Sequence, residues 1–411
     1  MRAPRDPAWL LIGFLWVCYA LNHADRQVVY TLFPALQKEF GYSNQVLGLT
    51  GALFLWIYGL CSPVAGVLGD RWPRPKLVVG SLAIWSFFTV LSGISPNGMF
   101  LLACRALLGV SESMFFPAAA ALIAAAHGPE SRSKAMAIFA TSQMAGVATG
   151  GSLSGFVAEH FHWRASFWIL GAFGIAFAVP LWLFLSRLPE KIRQGESSGA
   201  MSAAGFLSLF RIPTLLVVTT FVAIATFALF LVYTWLPTFL GDKFHLGMSR
   251  AGFEASVYPQ IGTLSGLFVG GSLADHFYPK RHSARYWIVL VAFVSAGPFL
   301  YMVGAAPTLA ITRVAVMGFG FFAGFVSANQ VAAAYDVVPR ALRASTIGLL
   351  NFLGAGMSGF APYLGGWARD TVGVDRLMAF TAGLYGVGAV VLVYGILRHF
   401  ERDHAAAQET A

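Results

Sequence analysis

Apolar residues fill this chain in runs of spanning length, broken by short clusters of charge, glycine and proline, and that alternation predicts bilayer-crossing helices. About twenty consecutive apolar residues cover the hydrocarbon core of a membrane. Such runs lie near 9–36, 45–68, 76–95, 98–126, 133–159 and 165–187, then 213–240, 250–273, 285–304, 307–335, 341–367 and 376–398. The one long polar interruption, 188–212, carries Pro189, Glu190, Lys191, Arg193 and Glu196. It divides an N-terminal six-helix bundle, 1–187, from a C-terminal one, 213–399, with 400–411 left as a tail. The expected class is an all-α polytopic membrane protein, twelve transmembrane helices in two bundles.

The two halves echo each other. Gly66-Val67-Leu68-Gly69-Asp70-Arg71 follows the second run and Gly271-Ser272-Leu273-Ala274-Asp275-His276 the eighth, while the fourth and tenth runs carry Arg105 and Arg313. Two signals at nearly the same offset indicate an internal repeat, as in parallel halves related about the membrane normal.

Composition narrows the function. The 411 residues are 57% hydrophobic and only 11% charged, against about 25% charged in soluble domains. A net charge of +9 reads as membrane topology, not as a nucleic-acid surface. Of the 27 Lys and Arg, eighteen fall on the side of the termini and even-numbered loops and six opposite. The positive-inside rule then makes both termini cytoplasmic. The first run is too long for a cleaved signal peptide and is expected to stay. Cys18, Cys61 and Cys104 all lie in apolar stretches, so neither a disulfide framework nor a metal cluster is expected. No Walker loop, zinc-ligand spacing or Gly-x-Ser-x-Gly elbow occurs, which leaves an ATP-driven pump or a hydrolase without support.

Charge inside the spans is the lead to chemistry. Asn22, His23, Asp25 and Arg26 lie past the middle of the first run, where each ionised side chain costs roughly 2.5–3.5 kcal/mol and must find a partner or a watery cavity. Arg105 and Glu112, seven residues apart, project from one face of the fourth run. Burial and guanidinium neighbours act in opposite senses on a carboxyl group, which suits proton coupling; a static ion-pair network is the competing reading. Counting Arg26, Arg105 and Arg313 against Asp25 and Glu112 biases the interior toward an anionic cargo. Arg26 offers a planar fork for its acid group. Tyr58, Gln143, Tyr233, Asn329 and Asn351 are candidates for hydroxyl binding, although each alone is more often a helix-helix hydrogen bond. His23 is a further ligand, a proton relay or a core residue. Glycines at 146, 150, 151 and 155, and at 262, 266, 270 and 271, allow close helix packing.

The stretch Gly66 to Lys76 resembles the loop signature of the major facilitator superfamily, with a weaker copy at Gly271 to Arg281. There Asp70, Arg71 and Arg74, with Asp275 in the second copy, have the makings of an ion-pair latch. Across nearly the whole chain Asn22-His23-Ala24-Asp25-Arg26, Arg105-x6-Glu112 with Phe115-Phe116-Pro117, Trp163-Arg164-x2-Phe167 and Trp235 to Leu240 are similar to the anion:cation symporter family, though His23 replaces its usual tyrosine. That resemblance implies symport of organic anions such as sugar acids with protons or sodium, the proton being the expected coupling ion and no other cofactor being needed; the short loops point to a bacterial inner membrane, and a monomer is expected. It also implies that the carboxylates at Asp25 and Glu112 take the proton with Arg105 as partner, and that Tyr58, Gln143 and Asn351 lie near the substrate. The spinster-like lysolipid or sphingolipid transporters share a similar Asp-Arg pair and Arg-x6-Glu and remain a rival, as does a proton-coupled drug or metabolite exporter. A sensor on a carrier scaffold would need a soluble domain that the tail has no room for.

Overall fold

The apolar runs fold as helices because, in hydrocarbon, each backbone amide must find its acceptor within the same segment. The computed structural model describes residues 7–190, 192, 207–339 and 342–409, without the side chains of 66, 67, 69–71, 129 and 344. No strand occurs among them. Eight helices precede the linker: α1 Pro7–Thr31, α2 Phe33–Phe40, α3 Asn44–Arg71, α4 Arg74–Gly93, α5 Gly98–Ser113, α6 Phe115–Ala126, α7 Pro129–His160 and α8 Trp163–Ser186. Seven follow it: α9 Pro213–Phe244, α10 Met248–Phe277, α11 Ala284–Ala305, α12 Leu309–Tyr335, α13 Arg343–Thr371, α14 Val374–Arg398 and α15 Phe400–Glu409.

Local chemistry sets the ends. The side chains of Ser43, Asn97 and Thr308 accept from the amides of Val46, Phe100 and Ile311 at the starts of α3, α5 and α12, as N-caps do. Gly41, at φ 64°, ends α2 in the left-handed conformation that costs glycine least. The first expected span divides at Leu32, ahead of Pro34, and the fourth at Met114, ahead of Pro117. A proline has no N–H for the carbonyl four residues earlier, so helix continuity weakens there.

Ten helical segments among the described residues are long and apolar enough to cross a membrane, with α5 and α6 counting as one. The expected fifth and eighth spans, α7 and α10, are not among them. Their glycines, serines and charged ends lower the hydropathy although both reach about thirty residues, at 32 and 30.

The described residues fall into two compact units, the first comprising those up to residue 200 together with Leu246–Ser256, the second the rest. In the first unit α1 packs on α7, α3 on α5 and α4 on α8. In the second the corresponding spans pair again: α9 on α13, α11 on α14, and α10 on α12 through Gly262, Gly266 and Gly270 against the backbone of Met317 to Phe325. The repeat read from the sequence is therefore a repeat of helix pairing. Close approach has a definite place in the first unit, where a Cβ added at Gly109 would lie 2.7 Å from the Phe54 carbonyl and 3.1 Å from the Tyr58 amide.

The tail beyond 399 is a docked helix. Asp403 in α15 accepts from the amide and hydroxyl of Thr214 at 2.9 and 2.7 Å, holding the start of α9, and Phe400 is fully buried against Tyr286.

Candidate functional site

Four ionisable groups meet inside the first unit, carried by α1 and α5 against α3 and α4. Asn22, Asp25 and Arg26 share one side of α1 by helical spacing, and Glu112 stands at the end of α5, two residues before the break at Met114. Arg26 donates Nε–H to Glu112 Oε2 at 2.7 Å. The Glu112 side chain has no exposure and that of Arg26 13%, so the pair is held almost wholly out of solvent. The Arg26 guanidinium also lies over the rings of Phe54, at 4.9 Å, and Tyr58, at 4.7 Å. Aromatic faces supply negative quadrupole to a cation where water is excluded.

Arg105 is fully buried but serves a different partner from the one expected. Its Nε–H and Nη1–H point at the backbone carbonyls of Thr50 and Asp25, both at a long 3.4 Å, and it shares the Phe54 ring at 5.1 Å. Seven residues set it about 10 Å along the helix from Glu112, so its arm reaches α3 and the α1 backbone, and Arg26 takes the glutamate. Asp25 Oδ2 accepts from the Thr89 hydroxyl at 3.2 Å. Asn22 lies beside Glu112 without reaching hydrogen-bond geometry. Asp25 Oδ1, Glu112 Oε1, Arg105 Nη2 and both amide atoms of Asn22 are buried with no protein hydrogen bond. Buried polar atoms are seldom left so, and here they cluster around one ion pair.

His23 turns to another face of α1. It packs edge-on against Tyr19 at 4.4 Å with Nδ1 3.2 Å from the Tyr19 carbonyl, and Tyr19 stacks on Phe139 of α7 at 4.8 Å. Gln143 is half-buried on α7. The remaining polar candidates belong to the second unit. Tyr233 is buried on α9 and its hydroxyl accepts from Gln260 Nε2 at 2.9 Å. Asn329 donates to the carbonyls of Gly270 and Phe325 at 3.3 and 2.9 Å, tying α12 to α10. Asn351 is half-buried on α13. Arg313, counted toward an excess of positive charge, is half-buried over Tyr258 at 5.3 Å in this second unit. Within the first unit the two guanidiniums balance the two carboxylates.

The latch residues divide. The side chains of Asp70 and Arg71 lie outside the described residues. Arg74 is buried and reaches the Ala121 carbonyl at 3.4 Å. Asp275 has an ion-pair partner at the edge of reach: its side chain is 81% exposed and 3.9 Å from Arg285, whereas Asp336, at the end of α12, holds Arg285 at 2.6 and 2.8 Å and accepts from the Tyr278 hydroxyl at 3.0 Å. Asp336 follows the last turn of its helix and reaches inward, while Asp275 faces out.

Sequence reading missed Thr89, Phe54, Tyr19, Gln260 and Asp336. Gln260, a buried amide in the eighth run, carried a signal of the same kind as Asn329; Phe54 and Thr89 look like ordinary members of apolar helices.

A model of the Major Facilitator Superfamily matches residues 15–362. Over 412 residues the chain is 25% identical to an MFS-type efflux pump of Mycolicibacterium smegmatis, covering 95% of this chain and 92% of that one. Over 414 residues it is 24% identical to a probable galactarate/D-glucarate transporter of Bacillus subtilis, covering 93% and 89%. Its fold is similar to the crystal structure of a bacterial homolog of the human lysosomal transporter Spinster, inward-facing and unoccupied, with a TM-score of 0.75 at 20% identity over 99% of this chain and 98% of that one.

Proposed function

From the premise that this chain belongs to the Major Facilitator Superfamily, we propose that it is a carrier, not an enzyme, coupling entry of a small organic anion to a proton by alternating access. The observation that carries the reading is the Arg26–Glu112 pair, a carboxylate occupying the guanidinium that a carboxylate cargo would need. A proton on Glu112 removes its charge and weakens its hold on Arg26. The fork on Arg26 is then open to the acid group of the cargo, and loss of the proton returns Glu112 to compete for it. Proton and anion thus bind as each other's condition, which is what symport requires. Asp25, beside the same cluster, is the second proton acceptor, and Arg105 positions the α1 backbone beneath it.

The cargo class is a sugar acid or similar hydroxy-carboxylate. A probable galactarate/D-glucarate transporter among the relatives supports it, as do Tyr58 and Gln143 of the first unit as hydroxyl partners. The bias of basic residues in the loops supports both termini in the cytoplasm, and the bacterial relatives support an inner-membrane protein. The likeness to the Spinster homolog concerns fold alone, and no residue-level observation favours a lysolipid cargo.

The test is uptake of labelled D-glucarate into proteoliposomes. An inward proton gradient accelerates it; Glu112→Gln abolishes gradient-driven uptake and leaves exchange of labelled for unlabelled substrate intact. Uptake indifferent to the gradient, or a Glu112→Gln carrier that still concentrates substrate, would overturn the coupling assignment.

A further inference from the structure

Away from the ion-pair cluster, the turn between α10 and α11 forms an open cavity of about 170 Å³ lined by Phe277, Lys280, Arg281, Ala284, Trp287 and Ile288. Three features distinguish its walls. Lys280 and Arg281 are exposed, and among the described residues neither has a carboxylate within ion-pair distance. Arg281 is nonetheless fixed, its Nε–H donating to Ser283 Oγ at 3.1 Å and its guanidinium lying 4.8 Å over the Trp287 ring. Trp287 Nε1 is buried without an acceptor, a donor that a wall of this kind leaves unsatisfied.

Position supplies the rest. Ala284–Ala305 is one of the segments able to cross a membrane, so Trp287 stands one turn inside its end, the depth of the headgroup layer, where tryptophan is favoured with its ring in lipid and its N–H in the polar zone. Phe277, exposed at 46%, and Ile288 give the cavity an apolar side. Neither Asp275 nor Asp336 neutralises it. Asp275 points into solvent at 3.9 Å from Arg285, and Asp336 is saturated by Arg285 and Tyr278.

We infer that this cavity binds the phosphate of an anionic phospholipid, with Lys280 and Arg281 on the phosphate oxygens, Trp287 Nε1–H donating to a headgroup or ester oxygen, and Phe277 and Ile288 along the start of an acyl chain. Cationic side chains at a membrane surface attract anionic lipid at about 1 kcal/mol each. A fixed guanidinium with a preset indole donor adds geometry that diffuse attraction lacks. The site is independent of the cargo and of proton coupling.

The experiment follows the melting temperature of delipidated protein in neutral detergent during titration with phosphatidylglycerol, phosphatidylcholine or inorganic phosphate, since a ligand that binds only the folded chain raises it. Phosphatidylglycerol should stabilise, and the other two should not. Arg281→Gln and Trp287→Phe should each weaken the apparent affinity at least five-fold, and Lys280→Gln, at an exposed position that leaves folding untouched, should do the same. Lys38→Gln, an exposed lysine elsewhere, should leave it unchanged. An equal shift from inorganic phosphate or phosphatidylcholine, variants that bind as the parent does, or an equal loss in Lys38→Gln would overturn the assignment.

Discussion

Substituting the two members of the Arg26–Glu112 pair singly and together measures how far each depends on the other. Glu112 has no solvent exposure and Arg26 13%, and they meet at 2.7 Å, so either single change strands a charge that water barely reaches. Removing one partner of a buried pair costs about 3–5 kcal/mol, whereas replacing both with apolar residues of similar volume is often neutral or stabilising. Arg26 keeps the Phe54 and Tyr58 rings when Glu112 is gone, each worth about 0.5–2 kcal/mol to a desolvated cation, which places Glu112→Leu toward the lower end, near 3 kcal/mol. Arg26→Met leaves Glu112 with no such help and falls higher, near 5 kcal/mol. The double variant should be more stable than either single one, a coupling of at least about 3 kcal/mol, or two decades in the unfolding equilibrium at 1.4 kcal/mol per decade. Reversible unfolding of the four proteins in mixed detergent micelles at neutral pH gives the cycle. Single effects that simply add would refute the claim that each charge is retained only because the other is there.

Three further outcomes follow from the packing and caps. Gly109→Ala drives a methyl to within 2.7 Å of the Phe54 carbonyl and should cost about 1–3 kcal/mol in the same unfolding assay, whereas Gly80→Ala, with nothing within 4 Å of the added carbon, should be neutral or slightly stabilising; equal effects would remove the steric argument. Asp403→Ala deletes both bonds to Thr214, a loss of roughly 1–3 kcal/mol for a charged acceptor, and trypsin should then cut faster at Arg398 and Arg402; an unchanged cleavage rate would mean that the contacts of Phe400 and His404 suffice to hold α15. The Arg164 guanidinium, donating to Glu39 at 2.8 Å, holds that exposed carboxyl below its usual range. Its contribution is therefore complete above the ordinary glutamate value of about 4.3 and lost as pH falls through the depressed one, so the melting-temperature gap between parent and Glu39→Gln should close on acidification; a gap independent of pH would exclude the pair as its source.

The spans and the repeat were legible because hydropathy and the shared Gly-x-Leu-x-Asp pattern are local properties of the chain. Asn22, Asp25, Arg26, Tyr58, Arg105 and Glu112 could be nominated because charge and polarity in an apolar run have few excuses. Which guanidinium meets Glu112 was not legible, since it depends on the rotation of α1 about its axis and on the arm lengths of two arginines. The share Asp336 takes of Arg285 has a similar origin: Asp275 matches the repeated pattern, but Asp336 has the inward position. Thr89 was hidden because a threonine among Trp85, Phe88 and Val90 reads as part of an apolar face until Asp25 is placed opposite it.

The break at Met114 has a mechanical consequence. Pro117 leaves the Ser113 carbonyl without its amide donor, so the chain next to Glu112 resists bending less than the intact turns on either side, which must forfeit a hydrogen bond to flex. Changing the charge on that glutamate alters the pull of Arg26 on one arm of an elbow. The arm beyond it, Phe115–Ala126, meets Gly98–Ser113 at this joint. A change of charge on that carboxyl group would act beside a joint already cut into the helix that bears it.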